Sequence, residues 1–242
     1  MPYLSRIWLN PLRRGAQRLL TDPHAVHAAV LGSLSQQPVQ ERTLWRLEPE
    51  AHRAALLVLT HSRPSWDHVV EQAGWPGSAD PQALVRDYTP LLARVVTGRE
   101  FAFRLRANTV SSTKAPAATT ARQRERLAQQ RPRGQLVPER TAAQQLDWFA
   151  QRLPRWGFTV VEVEGLGQLR LAGRAAVEFR KGHGPDSHRR VVLQTATAEG
   201  LVRVADPELA CAALLNGCGR ARAYGCGLLT LAPVGDSDVV AG

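Results

Sequence analysis

A β-α-β-β-α-β order of elements, met twice along 242 residues, predicts an α+β fold for this sequence. Two local signals stand beside the recurring order. Apolar and polar residues alternate with period two where a strand is expected, and an Asp-Pro pair opens a helix in each half.

Residues 3–9 read as the first strand, followed by a basic loop containing Arg13, Arg14 and Arg18. Asp22-Pro23 then starts a helix: the Asp side chain caps free backbone amides and Pro fits the first helical position. Ala25, Val26, Ala28, Ala29 and Val30 continue it. Strands are expected at 43–48 and 53–61, a short helix from Ser65 and a strand at 83–88. This is one ferredoxin-like unit.

The second unit opens at Phe101, Phe103, Leu105 and Ala107, which alternate with Ala102, Arg104, Arg106 and Asn108, so that one face of the strand is basic. A helix over 141–153 carries the apolar stripe Ala142, Leu146, Phe149 and Leu153. Strands follow at 158–164, 174–181 and 188–204. Asp206-Pro207 starts the last helix, Gly217 ends it, and Leu228 to Leu231 form a final strand. The predicted architecture is two tandem ferredoxin-like (RRM-like) domains, 1–95 and 96–235, with a flexible tail over 236–242.

A hydrophobic content of 44% excludes disorder throughout, and a formal charge of +10 favours a polyanionic partner or an anionic surface. Lys114 and Lys181 are the only lysines, so the charge is carried by arginine, whose planar fork suits phosphates and base edges. A GC-rich genome that writes Arg for Lys accounts for part of this bias. Residues 101–134 hold eight basic residues, among them Arg104, Arg106 and Lys114, against the single acid Glu125. Within 109–138 this reads as a nucleic-acid arm that orders on binding, with a solvated surface loop as the alternative.

Cys211, Cys218 and Cys226 form no zinc signature and read as buried thiols in a reducing compartment. Arg6, Asn10, Arg13 and Arg14 break any apolar signal segment, and no stretch approaches the roughly 18 apolar residues of a membrane span. The expectation is a soluble, cytoplasmic protein without a metal or cofactor.

Gly217-Cys218-Gly219-Arg220-Ala221-Arg222-Ala223-Tyr224-Gly225-Cys226-Gly227 spaces two Gly-x-Gly pairs across five residues. Glycine permits positive φ and close backbone approach, so several amides could point at one anion, with Arg220 and Arg222 adding charge. A Walker loop would need Gly-Lys-Ser/Thr, which is absent. A dinucleotide fingerprint fails because Arg222 stands at its third glycine and the loop leaves a helix to enter a strand. The bland alternative is a helix-to-strand connection with no ligand.

Of the histidines, His24 and His27 lie three apart on the first helix and share one face. A helix N-terminus disfavours imidazolium, which would keep a histidine there neutral and able to act as a base. No third metal ligand accompanies them. His52, His61 and His68 have no basic or glycine-rich context and read as structural. His183 and His188 fall in a basic hairpin with Arg180 and Lys181, either a probe of an RNA groove or a solvated turn.

GCGRARAYGCGLLTLAP over 217–233 resembles the C-terminal signature of the repeat-associated RNA-binding superfamily, and its GCGLL-x-LAP form resembles CasE, the pre-crRNA endoribonuclease of type I-E CRISPR systems. The opening YLSRIWLNP, LWRLEP at 44–49 and FRLRANTV at 103–110 agree with it. The resemblance implies metal-independent cleavage of a CRISPR repeat RNA below its stem-loop, the 2′-hydroxyl attacking the adjacent phosphate to leave a 2′,3′-cyclic phosphate. It implies His27 as the catalytic histidine of the first helix. His24 stands where some relatives carry a tyrosine, either as a second catalytic group or as an RNA contact. It implies RNA contacts for Arg180 and Lys181, a repeat hairpin as partner, and a place beside other Cascade subunits. The positions expected to grip RNA are Arg13, Arg14, Arg104, Arg106, Lys114, Arg180, Lys181, Gly217, Gly219, Arg220, Arg222, Gly225 and Gly227. The competing readings are a non-catalytic RNA-binding subunit and a small-molecule enzyme that holds phosphate in the glycine loop.

Overall fold

The structure, a computed structural model, describes residues 1–113, 135–181 and 189–234. Lys114, most of the expected basic arm, His183, His188 and the tail lie outside the described residues, as do the side chains of Arg180 and Lys181.

The first sheet contains β1 (Tyr3–Leu9), β2 (Leu44–Pro49), β3 (Ala54–Thr60) and β4 (Ala83–Asp87) in the antiparallel order β2-β3-β1-β4. That order, with first and third strands central, is what a ferredoxin-like chain makes. Helices α1 (Arg14–Thr21), α2 (Pro23–Gly32) and α3 (Asp67–Ala73) cover one face, where Ile7, Leu9, Leu56 and Val58 meet Ala16, Leu19, Val26, Val30 and Val69. Alternate strand residues, Leu4, Leu44, Leu57 and Leu59, point the other way into a second core. Covered on both faces, β3 is buried at every residue, which explains its unbroken run AALLVLT.

Asp22 caps α2 as expected, its carboxylate accepting from the His24 amide at 2.9 Å, with Pro23 at the first position. Residues 14–21, expected as loop, form α1 instead. Ala16 and Leu19 are its buried stripe, and the basic residues are only its wet face. Gly15 permits the packing: a Cβ there would lie 2.3 Å from the Gln72 carbonyl oxygen on α3.

After α4 (Thr89–Leu92) the second unit runs through β5 (Glu100–Asn108), the antiparallel pair β6 (Val110–Thr113) and β7 (Gln135–Pro138), and α5 (Ala142–Ala150). Short strands β8 (Phe158–Val160), β9 (Glu162–Val163) and β10 (Leu166–Gly167) lead to the long pair β11 (Leu169–Lys181) and β12 (Arg189–Val204), then α6 (Pro207–Asn216) and β13 (Leu229–Pro233). The order β11-β12-β5-β13 repeats that of the first sheet, with β8 also pairing β12. Phe101, Phe103, Leu105 and Ala107 face the helices, as their alternation predicts. The stripe on α5 is rotated from expectation. Gln145, Trp148 and Phe149 are buried and Ala142 is exposed, because Gln145 donates to Thr109 Oγ1 and the Glu139 carbonyl while accepting from Arg174 Nε at 2.7 Å. The strand expected at 174 begins at Leu169, and the one expected over 158–164 breaks after Val160.

Arg46 joins the two sheets. With 2% of its side chain exposed, it makes five hydrogen bonds, one for each N–H. Its Nη1 donates to the carbonyls of Arg104 and Leu228, Nη2 to Thr230 Oγ1 and Glu48, and Nε to Glu48.

Candidate RNA-processing site at the junction of the two sheets

His24 and His27 stand in the first half of α2, where the Asp22 cap fixes the start of the helix. The His24 ring meets two aromatic rings from the second unit. Phe179 of β11 lies 5.1 Å away at 81°, and Tyr224, from the 3-10 turn Arg222–Tyr224, lies 5.3 Å away at 78°. Phe179 and Tyr224 touch each other at 4.5 Å. Nε2 of His24 and Nδ1 of His27 are buried with no hydrogen-bond partner among the described residues. Burial pulls the His27 pKa below its ordinary 6.5, and the neighbouring His24 adds to the shift. The helix dipole was expected to disfavour the charged form; burial is the largest cause of the downward shift.

The glycine loop wraps the edge strand β2. Gly217, Gly219, Gly225 and Gly227 all have φ between +77° and +90°. A Cβ on Gly217 would lie 2.6 Å from Leu44, and one on Gly225 would lie 2.6 Å from the Trp45 ring. The amides of Gly217, Cys218, Tyr224 and Gly227 donate inside the protein, to Ala213, Gly227, Ala221 and Arg106 carbonyls, so these four are not offered to an anion. What Gly217 and Gly225 visibly do is let the loop press onto β2 and so set Tyr224 against His24. Gly225→Ala should therefore lower unfolding free energy by about 1–3 kcal/mol, since it combines left-handed strain with a clash against a buried ring. Gly219→Ala meets nothing closer than 3.6 Å and should cost only the backbone strain. Urea melts of the two variants give the comparison, and equal losses would contradict it.

The other expected positions are distributed. Arg220 is exposed beside the turn, and Arg222 is half-buried with its Nε donating to the Gly219 carbonyl. Arg180 and Lys181 directly follow Phe179 and pair in register with Arg190 and Arg189, which brings a basic strand end to the histidine helix. Arg104 and Arg106 sit on the outer face of the second sheet, lining a recess of 290 Å³ with Arg46, Glu48 and Thr197. Arg104 lies 3.7 Å from Glu48 and 3.5 Å from Glu199, so carboxylates already offset part of its charge. Arg13 donates to the Gly74 carbonyl and Arg14 is exposed. Sequence reasoning missed Phe179, Tyr224 and Arg46 as site-building residues. Tyr224 lies inside the glycine loop and Phe179 beside a basic pair, signals that could have drawn attention to both.

Among the described residues no group of three or more His, Cys, Asp or Glu side chains could hold a metal ion, and no helix is long and apolar enough to cross a membrane. A family model described as "CRISPR associated protein" matches residues 2–233. The CRISPR-associated endoribonuclease Cse3 of Thermus thermophilus is 31% identical over 236 residues, covering 96% of this chain and all of that protein. The structure of Thermus thermophilus Cse3 bound to an RNA representing a pre-cleavage complex superposes with a TM-score of 0.71 at 29% identity, covering 96% of this chain and 99% of that one. A chain of a CRISPR RNA-guided surveillance complex shares the fold, with a TM-score of 0.62 at 21% identity and coverage of 96% and 100%.

Proposed function

This chain belongs to the CRISPR-associated protein family, and from that membership we propose that it is an endoribonuclease of the cytoplasm that binds a CRISPR repeat RNA at its stem-loop and cuts it to mature crRNA. The observation that carries the reading is the histidine pair on α2, packed at the junction of the two sheets beside a basic strand end, with His27 held neutral.

The burial of His27 Nδ1 leaves Nε2 as its nitrogen open to substrate, and the burial of His24 Nε2 leaves Nδ1. Neutral His27 accepts the proton of the 2′-hydroxyl as that oxygen attacks the adjacent phosphorus. The phosphorus–5′-oxygen bond breaks, and the 5′-oxygen takes a proton from protonated His24. The products are a 2′,3′-cyclic phosphate and a free 5′-hydroxyl. The two histidines end with exchanged protonation states and reset through solvent. Arg180, Lys181 and Arg220 supply cations for the backbone and the developing phosphorane charge, and Arg13, Arg14, Arg106, Arg222 and Lys114 extend the basic surface. This scheme needs no metal. After cutting, the product hairpin would remain bound, and the protein would sit beside other Cascade subunits.

Incubation with the repeat RNA in excess EDTA tests the reading. Cleavage should persist, with cyclic phosphate on the upstream fragment and a 5′-hydroxyl on the downstream one. Cleavage abolished by EDTA, or 5′-phosphate ends, would refute the mechanism. Tight hairpin binding with no cutting under any condition would leave a binding subunit instead.

A further inference from the structure

We infer that Phe179 and Tyr224 are positioning residues that hold the His24 imidazole from the second unit, so that the proton donor is assembled only when the glycine turn is seated. The inference rests on the proposed proton-donor role of His24 and goes beyond it by naming what fixes that side chain.

His24 hangs from the first turn of α2, and no hydrogen bond to its ring ties it to a described residue. A histidine held by hydrogen bonding would keep one nitrogen on a carbonyl or carboxylate. Among the described residues no such anchor is present, and the inward nitrogen, Nε2, is buried all the same. The ring is fixed by shape. Phe179 and Tyr224 stand nearly perpendicular to it at 81° and 78°, with centroids inside the 4.5–7 Å range of favourable aromatic pairs, and they brace each other at 4.5 Å. With Nε2 enclosed between these contacts, Nδ1 is the nitrogen left to face outward.

Neither brace comes from the element that carries His24. Phe179 reaches α2 because β11 and β12 continue past the end of β5: β5 pairs β12 only from Thr195 to Arg203, whereas Phe179 pairs with Val191. Tyr224 reaches it because Gly225, immediately after it, fits against Trp45 with no room for a Cβ. Two independent second-unit segments thus converge on one side chain of the first. Displacement of a reacting group by about 1 Å can lower a rate on the order of 100-fold.

The test uses the full chain at saturating protein with two hairpin RNAs, one ordinary and one with sulfur replacing the bridging 5′-oxygen at the cut. A thiol ionises near pH 8.5, so a thiolate leaves without a proton donor. On ordinary RNA, His24→Ala, Phe179→Leu and Tyr224→Leu should each cut about 10- to 100-fold more slowly while still binding the hairpin. On the sulfur RNA all three should return to near the wild-type rate, and His27→Ala should stay slow on both. Tyr224→Phe, which restores the ring, should recover most of the rate lost in Tyr224→Leu. A general loss of structure would not be rescued by a sulfur atom in the substrate. If His24→Ala is not rescued, the donor assignment falls and the inference with it. If His24→Ala is rescued while the two leucine variants are not, or while they cut at the wild-type rate, only the bracing role is overturned. A Tyr224→Phe variant as slow as Tyr224→Leu would assign the effect to the hydroxyl and also overturn it.

Discussion

Arg46→Met should lower unfolding free energy by about 3–5 kcal/mol, the range seen when one partner of a buried, hydrogen-bonded charge pair is removed. Methionine fills much of the same space, so the loss is polar. The carbonyls of Arg104 and Leu228 lose a charged donor, and Glu48 loses its closest cation. Thr230 Oγ1, which accepts from Arg46, in turn donates to the Arg104 carbonyl, so the arginine is the hub of a small network. Burial pulls its pKa down from the usual guanidinium value, and Glu48 opposes that shift. Urea melts monitored by tryptophan fluorescence give the number. Arg203→Met is the control: its pair with Glu100 is largely exposed on both sides and should be worth at most about 1 kcal/mol. Similar midpoints for the two variants would show that Arg46 does not hold the sheets together.

His27→Ala should slow single-turnover cleavage by about 10²- to 10⁴-fold, the usual contribution of one proton-transfer group, with hairpin affinity little changed. The pH profile sharpens the expectation. A base works when unprotonated, so the rate rises with pH as His27 loses its proton. Because burial and His24 hold its pKa below 6.5, the midpoint of that rise should fall below pH 6.5. In His27→Ala the residual rate should lose this acid limb. A variant that cuts at the wild-type rate, or a midpoint well above 6.5, would remove His27 from the role.

How much of this was legible depended on how local each cause was. Strand positions followed from alternation, as in Phe101 to Ala107, and both helix starts followed from Asp22-Pro23 and Asp206-Pro207, whose caps act within three residues. The histidine pair was visible because a helix puts residues three apart on one face. Helix α1 was hidden because its charges advertise solvent, whereas its reason to form, Gly15 against Gln72, is a tertiary contact. The rotation of α5 was hidden because Gln145 is polar and buried only through partners on other elements. Arg46 reads as an interruption of an apolar strand until its five hydrogen bonds are seen. Phe179 and Tyr224 come from stretches far from His24, and no pattern within either stretch names the ring it will touch. The glycines drew attention as candidate phosphate ligands, while the contact they visibly make is with Leu44 and Trp45.

The long strand pair β11–β12 has a consequence for how this protein tolerates change. Phe179 faces α2 because it stands opposite Val191, and side chains alternate across a strand with a period of two. Deleting one residue between Ala175 and Phe179 would turn every later side chain of that strand to the other face, removing the ring from His24 and turning Arg180 and Lys181 with it. A two-residue deletion would keep the face but draw the arm back by roughly 7 Å. Substitutions along the arm that respect its faces should be absorbed, whereas changes of length act on catalysis. Insertions and deletions, normally the harmless currency of hairpins, are at this one the more damaging kind of mutation.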